Sequence, residues 1–515
     1  MKKTFLCSAA LIAALGACAQ KNATAVKYAQ YISVEDAKKH LSIIASDAFE
    51  GRETGKPGAD KAANYLAAEF KKMGLQAPVN GSYFLDVPLT VSSFSIKSFA
   101  VNGNALSYGK DYLSLGGAGT QTVNASEVVF VGYGSEAEVN NLDVTGKVVV
   151  LIGDAKPGAE ANPPQRGGGF ISAAQNLRRK NAGLVIAVMS SKLQGSPSNS
   201  SERMTLKQEN PRPIVPRPLI VTINPATANQ LLKNSGKTYE QLQTAAASTQ
   251  APQTLKAEVS VSYESANKDA KAVDVLGFLP GSDPKLKDEV LVFSAHYDHI
   301  GMLPEGTPGD RINNGADDDG SGTTGVLEIA RAFTKAKKDG KGPRRSVLFL
   351  GNVGEEKGLL GSEYYSEHPV FPLANTITDL NIDMIGRRDP SHDGKPDYCY
   401  LIGSDKLSTT LHKISENANN TYTKMDIDYK YNDPKDPERI YYRSDHYNFA
   451  KHNVPIVFYF NGVHADYHGL GDEVSKIDFP LLVKRAQLVF YTGWDLANRD
   501  ERPAVDVKND MPSER

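Results

Sequence analysis

Cysteine is scarce in this sequence: three occur in 515 residues, Cys7, Cys18 and Cys399, and two of them fall within the first eighteen positions. A disulfide framework is therefore excluded. Surplus charge is equally lacking, with 58 basic against 60 acidic side chains and a formal net charge of −2. Such a chain has no basic excess with which to neutralise a nucleic-acid backbone or to hold its body on an anionic membrane, so nucleic acid is not an expected partner. Long apolar runs are missing too. After the N-terminus nothing approaches the ~18 consecutive apolar residues of a spanning helix. What remains, 40% hydrophobic and 23% charged, is ordinary globular composition, with room for two or three domains at about 150 residues each.

The N-terminus reads as an export signal: Lys2 and Lys3, an apolar run from Phe5 to Ala14, then small residues. Leu15, Gly16, Ala17 and Cys18 resemble a bacterial lipoprotein box. That resemblance implies removal of residues 1–17, lipidation of the Cys18 sulfur and a place in the cell envelope with a membrane attachment through that lipid alone. The alternative is an ordinary signal peptide cut after Ala19, leaving a soluble periplasmic or secreted protein.

Three regions follow. Ser33 with Asp36 marks a helix start, and Ala62, Leu66, Phe70 and Met73 recur at helical spacing before Gly74, a natural stop. Between them Ser46 to Gly55 is a polar, glycine-punctuated loop to which physics alone assigns no chemistry. From residue 116 to 265 short β-branched runs, Val128 to Val131, Lys147 to Ile152 and Leu184 to Val188, indicate a separate small β-rich domain. Residues 236–260, rich in Ala, Ser, Thr and Gln, read as its exit helix and connector. From 266 to 499 apolar runs at Val290 to Ala295, Val347 to Val353, Leu380 to Ile385 and Val454 to Phe460 alternate with helical segments. This predicts an α/β fold with a central, mixed but largely parallel and buried sheet, whose ligands gather beyond the carboxyl ends of the strands. The charged tail at 500–515 is expected to stay loose.

Polar residues stand where those strands end. His296-Tyr297-Asp298-His299 follows the first run, Glu355-Glu356 the second, Asp383 ends the third, and Tyr467-His468 comes after the fourth; Asp317-Asp318-Asp319 precedes a helix. Gathering so many carboxylates and imidazoles in one cleft is costly unless cations offset the repulsion. Mixed His and carboxylate ligation suits zinc, with cobalt or manganese as substitutes, whereas calcium takes oxygen donors. In a Glu-Glu pair one member can ligate while its neighbour serves as general base. Singly, each signal has a plain structural explanation, Asp317 to Asp319 as a helix cap and Glu355-Glu356 as a solvated pair. Their order and spacing together argue for a metal site.

The segments Ala295 to Asp298, Gly315 to Gly322, Glu355 to Ser362, Asn381 to Met384, and Ser444-Asp445-His446 through Tyr467-His468 together resemble the co-catalytic di-zinc exopeptidases related to bacterial aminopeptidases and glutamate carboxypeptidase. The resemblance implies a three-layer peptidase domain and two zinc ions. Asp318 would bridge them, His296 and Asp383 completing one, Glu356 and His468 the other. Glu355 would be the general base, and Asp298 would accept a hydrogen bond from the second nitrogen of His296. Tyr467 matches a position from which some relatives donate to the oxyanion. A cis peptide is implied at Asp318-Asp319. His464 is the runner-up for His468, and His299 and His446 are extra to the ligand count. Residues 41–75 look like the family's N-terminal helical part, so the peptidase domain would be split into 24–115 and 266–499. Residues 128–134 and 146–153 look like the protease-associated domain inserted in several relatives.

The function so implied is an extracytoplasmic metallo-exopeptidase, an aminopeptidase hydrolysing N-terminal residues of peptide substrates through a metal-bridging hydroxide, with Glu355 moving the proton. A carboxypeptidase or dipeptidase on the same site is a second reading, with Arg443 as a candidate carboxylate receptor. A non-catalytic binding protein and a single-zinc glutaminyl cyclase-like enzyme are further ones.

Overall fold

The computed structural model describes residues 21–156, 168–211, 213–247 and 252–512. The export signal at 1–17 and Cys18 lie outside the described residues. Two compact units emerge, one formed by residues up to Pro88 together with Lys271–Arg515, the other by Leu89–Ala270.

In the first unit the sheet runs in the order Asp426–Asp428, Tyr398–Ile402, Ile456–Phe460, Thr376–Ile382, Val290–His296, Ser346–Asn352, and then residues 275–279 of the strand Gln253–Leu279. The four central strands pair in parallel, while Tyr398–Ile402 runs antiparallel to Ile456–Phe460 and residues 275–279 antiparallel to Ser346–Asn352. Every residue of the central four is buried, which is why they read as continuous apolar runs instead of alternating ones. On one face Val290, Val292, Leu348 and Leu350 share a core with Tyr365 and Phe449 of the helices Leu360–Glu367 and His446–Ala450. On the other, Phe293 and Phe349 meet Phe333 of the helix Gly322–Lys338, which in turn meets Phe490 and Trp494 of Phe479–Asn498. The result is a helix–sheet–helix sandwich. The N-terminal helices join it as the sequence suggests. Ser33 caps Val34–Ile44 by accepting from the Asp36 amide, and Gly74, at φ +85°, ends Pro57–Met73.

The second unit has its own sheet, ordered from residues 253–263 through Gln121–Phe130, Val148–Ile152, Leu184–Val188 and Leu219–Ile223 to Tyr112–Ser114. Three of its strand pairs are parallel, and separate apolar clusters cover the two faces, one with Val148, Val150 and Ile152, the other with Val149 and Leu151. The unit begins at Leu89, not at residue 116, because Phe84–Val101 pairs there with Ser200–Leu206. The connector expected at 236–260 also differs. Helix Tyr239–Ala246 is followed by a strand from Gln253, whose buried Leu255, Ala257, Val259, Val261 and Tyr263 alternate with exposed or half-exposed neighbours. That period of two is a strand signal which the Ala, Ser and Thr content obscured.

The tail is not loose as far as residue 512. Asp500 pairs with Arg344, Asp506 accepts from the Thr409 amide at the start of a helix, Asn509 donates to the Tyr441 hydroxyl, and Met511 is buried. Charged residues here find partners along the surface, and one methionine anchors them. Removing residues 500–515 is expected to lower the unfolding free energy by at least about 2 kcal/mol, the value of burying one such side chain. A urea midpoint unchanged by the truncation would show the tail to be free.

Candidate metal centre and catalytic cleft

Because the four central strands are parallel, their carboxyl ends lie along one edge, and the sequence places a polar residue at or just after each. His296 ends its strand, Asp383 follows Ile382, Glu355 and Glu356 come shortly after Asn352, and His468 lies in the loop beyond Phe460. Asp318 arrives from the turn Ala316–Ser321 that leads into the helix Gly322–Lys338. The turn needs Gly315, held at φ +54°; a Cβ there would sit 2.4 Å from the Asp318 carbonyl and 2.5 Å from the His299 ring. The peptide between Asp318 and Asp319 is cis.

Two donor groups form around Asp318. Its Oδ1 lies 3.3 Å from His296 Nε2, which is 3.7 Å from Asp383 Oδ1. Its Oδ2 lies 3.1 Å from His468 Nε2, which is 3.0 Å from Glu356 Oε2. Glu355 Oε2 is 3.9 Å from His296 Nε2. All five residues placed as donors by the resemblance are thus together, with Glu355 beside them. His296 Nε2 and Asp318 Oδ2 are buried with no hydrogen-bond partner among the described residues. Buried polar atoms are rarely left so, and a nitrogen and carboxylate oxygens spaced this way fit zinc.

The protonation balance tells the same story. Burial pushes the Glu355 carboxyl well above its ordinary range, with His296 opposing and Glu356 and Asp383 adding to the rise. Burial would also lower His468, but Asp318 and Glu356 raise it to about 10. Without cations the imidazoles hold protons to balance the carboxylates, a place that divalent metal ions can take.

Asp298 departs from expectation. The atom within hydrogen-bond reach of His296 Nδ1 is the Asp298 backbone carbonyl, at 3.1 Å, and the carboxylate stands off at 3.7 Å. Its Oδ2 accepts from the Thr54 hydroxyl at 2.6 Å and its Oδ1 from the Glu355 amide at 3.3 Å. The carboxylate therefore ties the strand end to the base's own backbone. Tyr467 stacks on His468, and its hydroxyl accepts from Arg443 at 3.2 Å. Tyr467 and Arg443 line a pocket with Asp318, Glu355 and Asp383, closed by the apolar Met384, Ile440, Phe458, Phe460 and Val463.

The other histidines sort themselves by contacts. His464 Nδ1 accepts from the Asp466 amide, so its Nε2 carries the proton and faces Asp317 Oδ2 at 3.2 Å, away from the donor groups. His446 lies on Phe458 and donates to the Tyr441 carbonyl; burial lowers it to about 3, so it stays neutral.

Two supporting residues escaped the sequence reading. Arg52, in the loop given no chemistry, is fully buried. It donates to the carbonyls of Ile44, Tyr297, Asn314 and Gly315 at 2.7–3.0 Å. One guanidinium thereby clamps the His296 segment to the turn carrying Asp318. Asp472, also fully buried, accepts from the amides of Asp317 and Asp318 at 3.0 Å. The only sequence signal for Arg52 was its place in residues 41–75, which look like the family's N-terminal part, and for Asp472 its place in Gly471-Asp472-Glu473, which follows Tyr467-His468 in what resembles the family's closing motif. Arg52→Met, which keeps length but removes the donors, leaves the buried carbonyls of Ile44, Tyr297 and Asn314 unpaired, while Gly315 keeps the Gly320 amide. At about 1–3 kcal/mol for each unmade bond, the metal-stripped variant is expected to lose more than about 3 kcal/mol in chemical denaturation. A loss under about 1 kcal/mol would mean that water replaces the clamp.

Comparison with known proteins is consistent with this geometry. Residues 274–493 match the model for "Peptidase family M28". A "Probable zinc metalloprotease" of Pyrenophora teres f. teres is 28% identical over 262 residues, 46% of this chain and 51% of that protein. A "Probable leucine aminopeptidase" of Trichophyton verrucosum is 29% identical over 222 residues, 42% of this chain and 56% of that protein. The chain spans about half the length of the curated relatives it matches. Among solved structures, an aminopeptidase from Aneurinibacillus sp. strain AM-1 superposes with a TM-score of 0.56 at 17% identity, covering 95% of this chain and 100% of that one. A zinc aminopeptidase from Bacillus subtilis gives 0.52 at 18% identity, covering 93% and 99%. At such identities the likeness is one of fold. The stretch from Asp274 to Gly493, which matches the model of peptidase family M28, holds both donor groups and Glu355.

Proposed function

We propose that the chain is a zinc-dependent aminopeptidase with two metal positions. The observation carrying this reading is the pair of donor groups that share Asp318, one with His296 and Asp383, the other with Glu356 and the imidazoles of His468 and His299 beside it, with Glu355 at their side and an apolar pocket opening onto them. His296, Asp318 and Asp383 would hold one zinc and Asp318, Glu356 and His468 the other, with cobalt or manganese as substitutes. When bound, the ions polarise the scissile carbonyl and activate the attacking water. Glu355, almost enclosed and bound through its own amide to Asp298, is placed to take a proton from that water and pass it to the leaving amine. Burial pushes the Tyr467 hydroxyl above its ordinary value, reinforced by Asp318. It therefore keeps its proton and can donate to a developing oxyanion.

The pocket supports an N-terminal residue with an apolar side chain. Met384, Ile440, Phe458, Phe460 and Val463 line the pocket beside the donor groups and would receive that side chain. One observation favours the carboxypeptidase reading: Arg443 lines the same pocket, and a guanidinium there suits a carboxylate. On the resemblance already described, the unit Leu89–Ala270 is read as a protease-associated insert. Export and anchoring through Cys18 to the cell envelope rest on the N-terminal composition.

The test is mass spectrometry of a peptide mixture with free and acetylated N-termini, with and without a chelator. The expected result is chelator-sensitive loss of N-terminal residues from unblocked peptides only. Trimming from the carboxyl end regardless of the block would replace this reading with the carboxypeptidase one, and no cleavage by zinc-loaded protein would overturn both. Glu355→Gln is expected to keep its zinc and lose about 10²- to 10⁴-fold in turnover; a near-normal rate would remove Glu355 from the chemistry.

A further inference from the structure

His299 stands outside both donor groups as assigned, yet it touches them. It is fully buried just beyond the strand Val290–His296, and its amide donates to the Arg52 carbonyl at 3.1 Å. Its ring is wedged against the backbone of Gly315, where not even a Cβ would fit. Nδ1 lies 2.9 Å from Glu356 Oε1 and 3.7 Å from Asp318 Oδ2, while Nε2 has no hydrogen-bond partner among the described residues. An ionised carboxylate only accepts. In the tautomer with its proton on Nδ1 the ring donates to Oε1 and has no lone pair there for a metal ion; in the other tautomer Nδ1 is itself spaced as a donor with Asp318 and Glu356.

The consequence falls on Glu356. With Oε1 held by His299, its other oxygen, Oε2, is the one turned to His468 Nε2 at 3.0 Å, beside Asp318 Oδ2. A glutamate side chain has three torsions and two equivalent oxygens, so an unrestrained Glu356 could present either oxygen or both. Holding one in advance removes that freedom before any ion arrives. We propose that His299 is a positioning residue for the second metal position, fixing Glu356 so that a single oxygen, Oε2, is presented with His468 and Asp318. The proposal rests on the two-zinc reading above.

Zinc-stripped wild type and variants would be titrated against a chromogenic chelator to give the stoichiometry and both dissociation constants. Circular dichroism and a urea midpoint on the metal-free forms would establish that each is folded. In His299→Leu one of the two zinc affinities is expected to fall about 10- to 100-fold with the other unchanged, the usual cost of losing a ligand's orienting partner. His299→Asn, whose side-chain amide can put an N–H near the place of Nδ1, should recover most of that loss. If His299→Leu does not fold, His299→Asn against His299→Gln carries the same test, since glutamine places its amide one bond too far. Equal affinities in wild type and His299→Leu overturn the proposal. So does equal loss in the leucine and asparagine variants, or in the asparagine and glutamine ones, which would indicate a space-filling or directly ligating ring. A folded wild type that binds fewer than two zinc ions removes the two-metal reading, and the proposal with it.

Discussion

Asp318 has an imidazole within 3.3 Å of each carboxylate oxygen, His296 on one side and His468 on the other. Shifting this one side chain by an ångström would spoil both donor groups at once, so the surrounding structure must fix its backbone first and its carboxylate second. The backbone is fixed from behind. Asp472 accepts from the Asp317 and Asp318 amides, and Arg52 donates to the carbonyls of Asn314 and Gly315 just upstream. A carboxylate holding amides and a guanidinium holding carbonyls grip the same turn by its two kinds of polar group. Neither uses the Asp318 side chain, which stays available at the cleft.

The same turn is tied sideways to the other loops that carry the candidate donors. The Asp317 carboxylate accepts from the Gly386 amide, just past Asp383, and faces His464 in the loop that carries His468. Asp319 accepts from the Met384 amide, and Ser444 donates to Asp383. Three consecutive aspartates therefore do different work: the middle one meets the imidazoles, and its neighbours fasten the loops that supply the remaining donors. Buried carboxylates of this kind are tolerable only when each oxygen has a donor or a cation. A backbone amide and the Ser321 hydroxyl meet that condition for Asp317 Oδ1 and backbone amides for Asp319 Oδ1, while Asp317 Oδ2 faces the His464 imidazole. Burial pushes the Asp319 carboxyl, whose Oδ2 has no hydrogen-bond partner among the described residues, well above its ordinary range toward the neutral form, and for Asp318 the condition is left to the site.

How much of this was legible in the sequence follows from where each signal is stored. The sheet was legible because buried parallel strands leave apolar runs, and the donors were legible because each stands at or just beyond the end of such a run. The strand Tyr398–Ile402 and the edge strand Asp426–Asp428 beside it were not read, the second being too short and polar to leave a pattern. Arg52 was unreadable for another reason. Its partners at Tyr297, Asn314 and Gly315 are about 250 residues away along the chain, and a lone arginine in a polar loop looks like a solvated one. Asp298 shows the limit from the other side. Its position beside His296 was plain, but Thr54, from that same loop, draws its carboxylate away from the imidazole.

Glu355 and Glu356 put that limit most sharply. They are adjacent, chemically identical and both largely enclosed, so nothing local says which should ligate and which should carry protons. Their surroundings divide them. Burial would raise both, but Glu356 receives donors from His299 and His468 and is held below its ordinary value. Glu355 has His296 at 3.9 Å and like charges in Glu356 and Asp383, and it is pushed well above. A carboxylate that prefers its ionised form is suited to hold a cation, and one that readily keeps a proton is suited to shuttle it. The difference comes from two histidines that the chain brings from positions 57 residues before and 112 residues after Glu356. The division of labour proposed for the pair is thus read from the fold, at His299 and His468, and not from the pair itself.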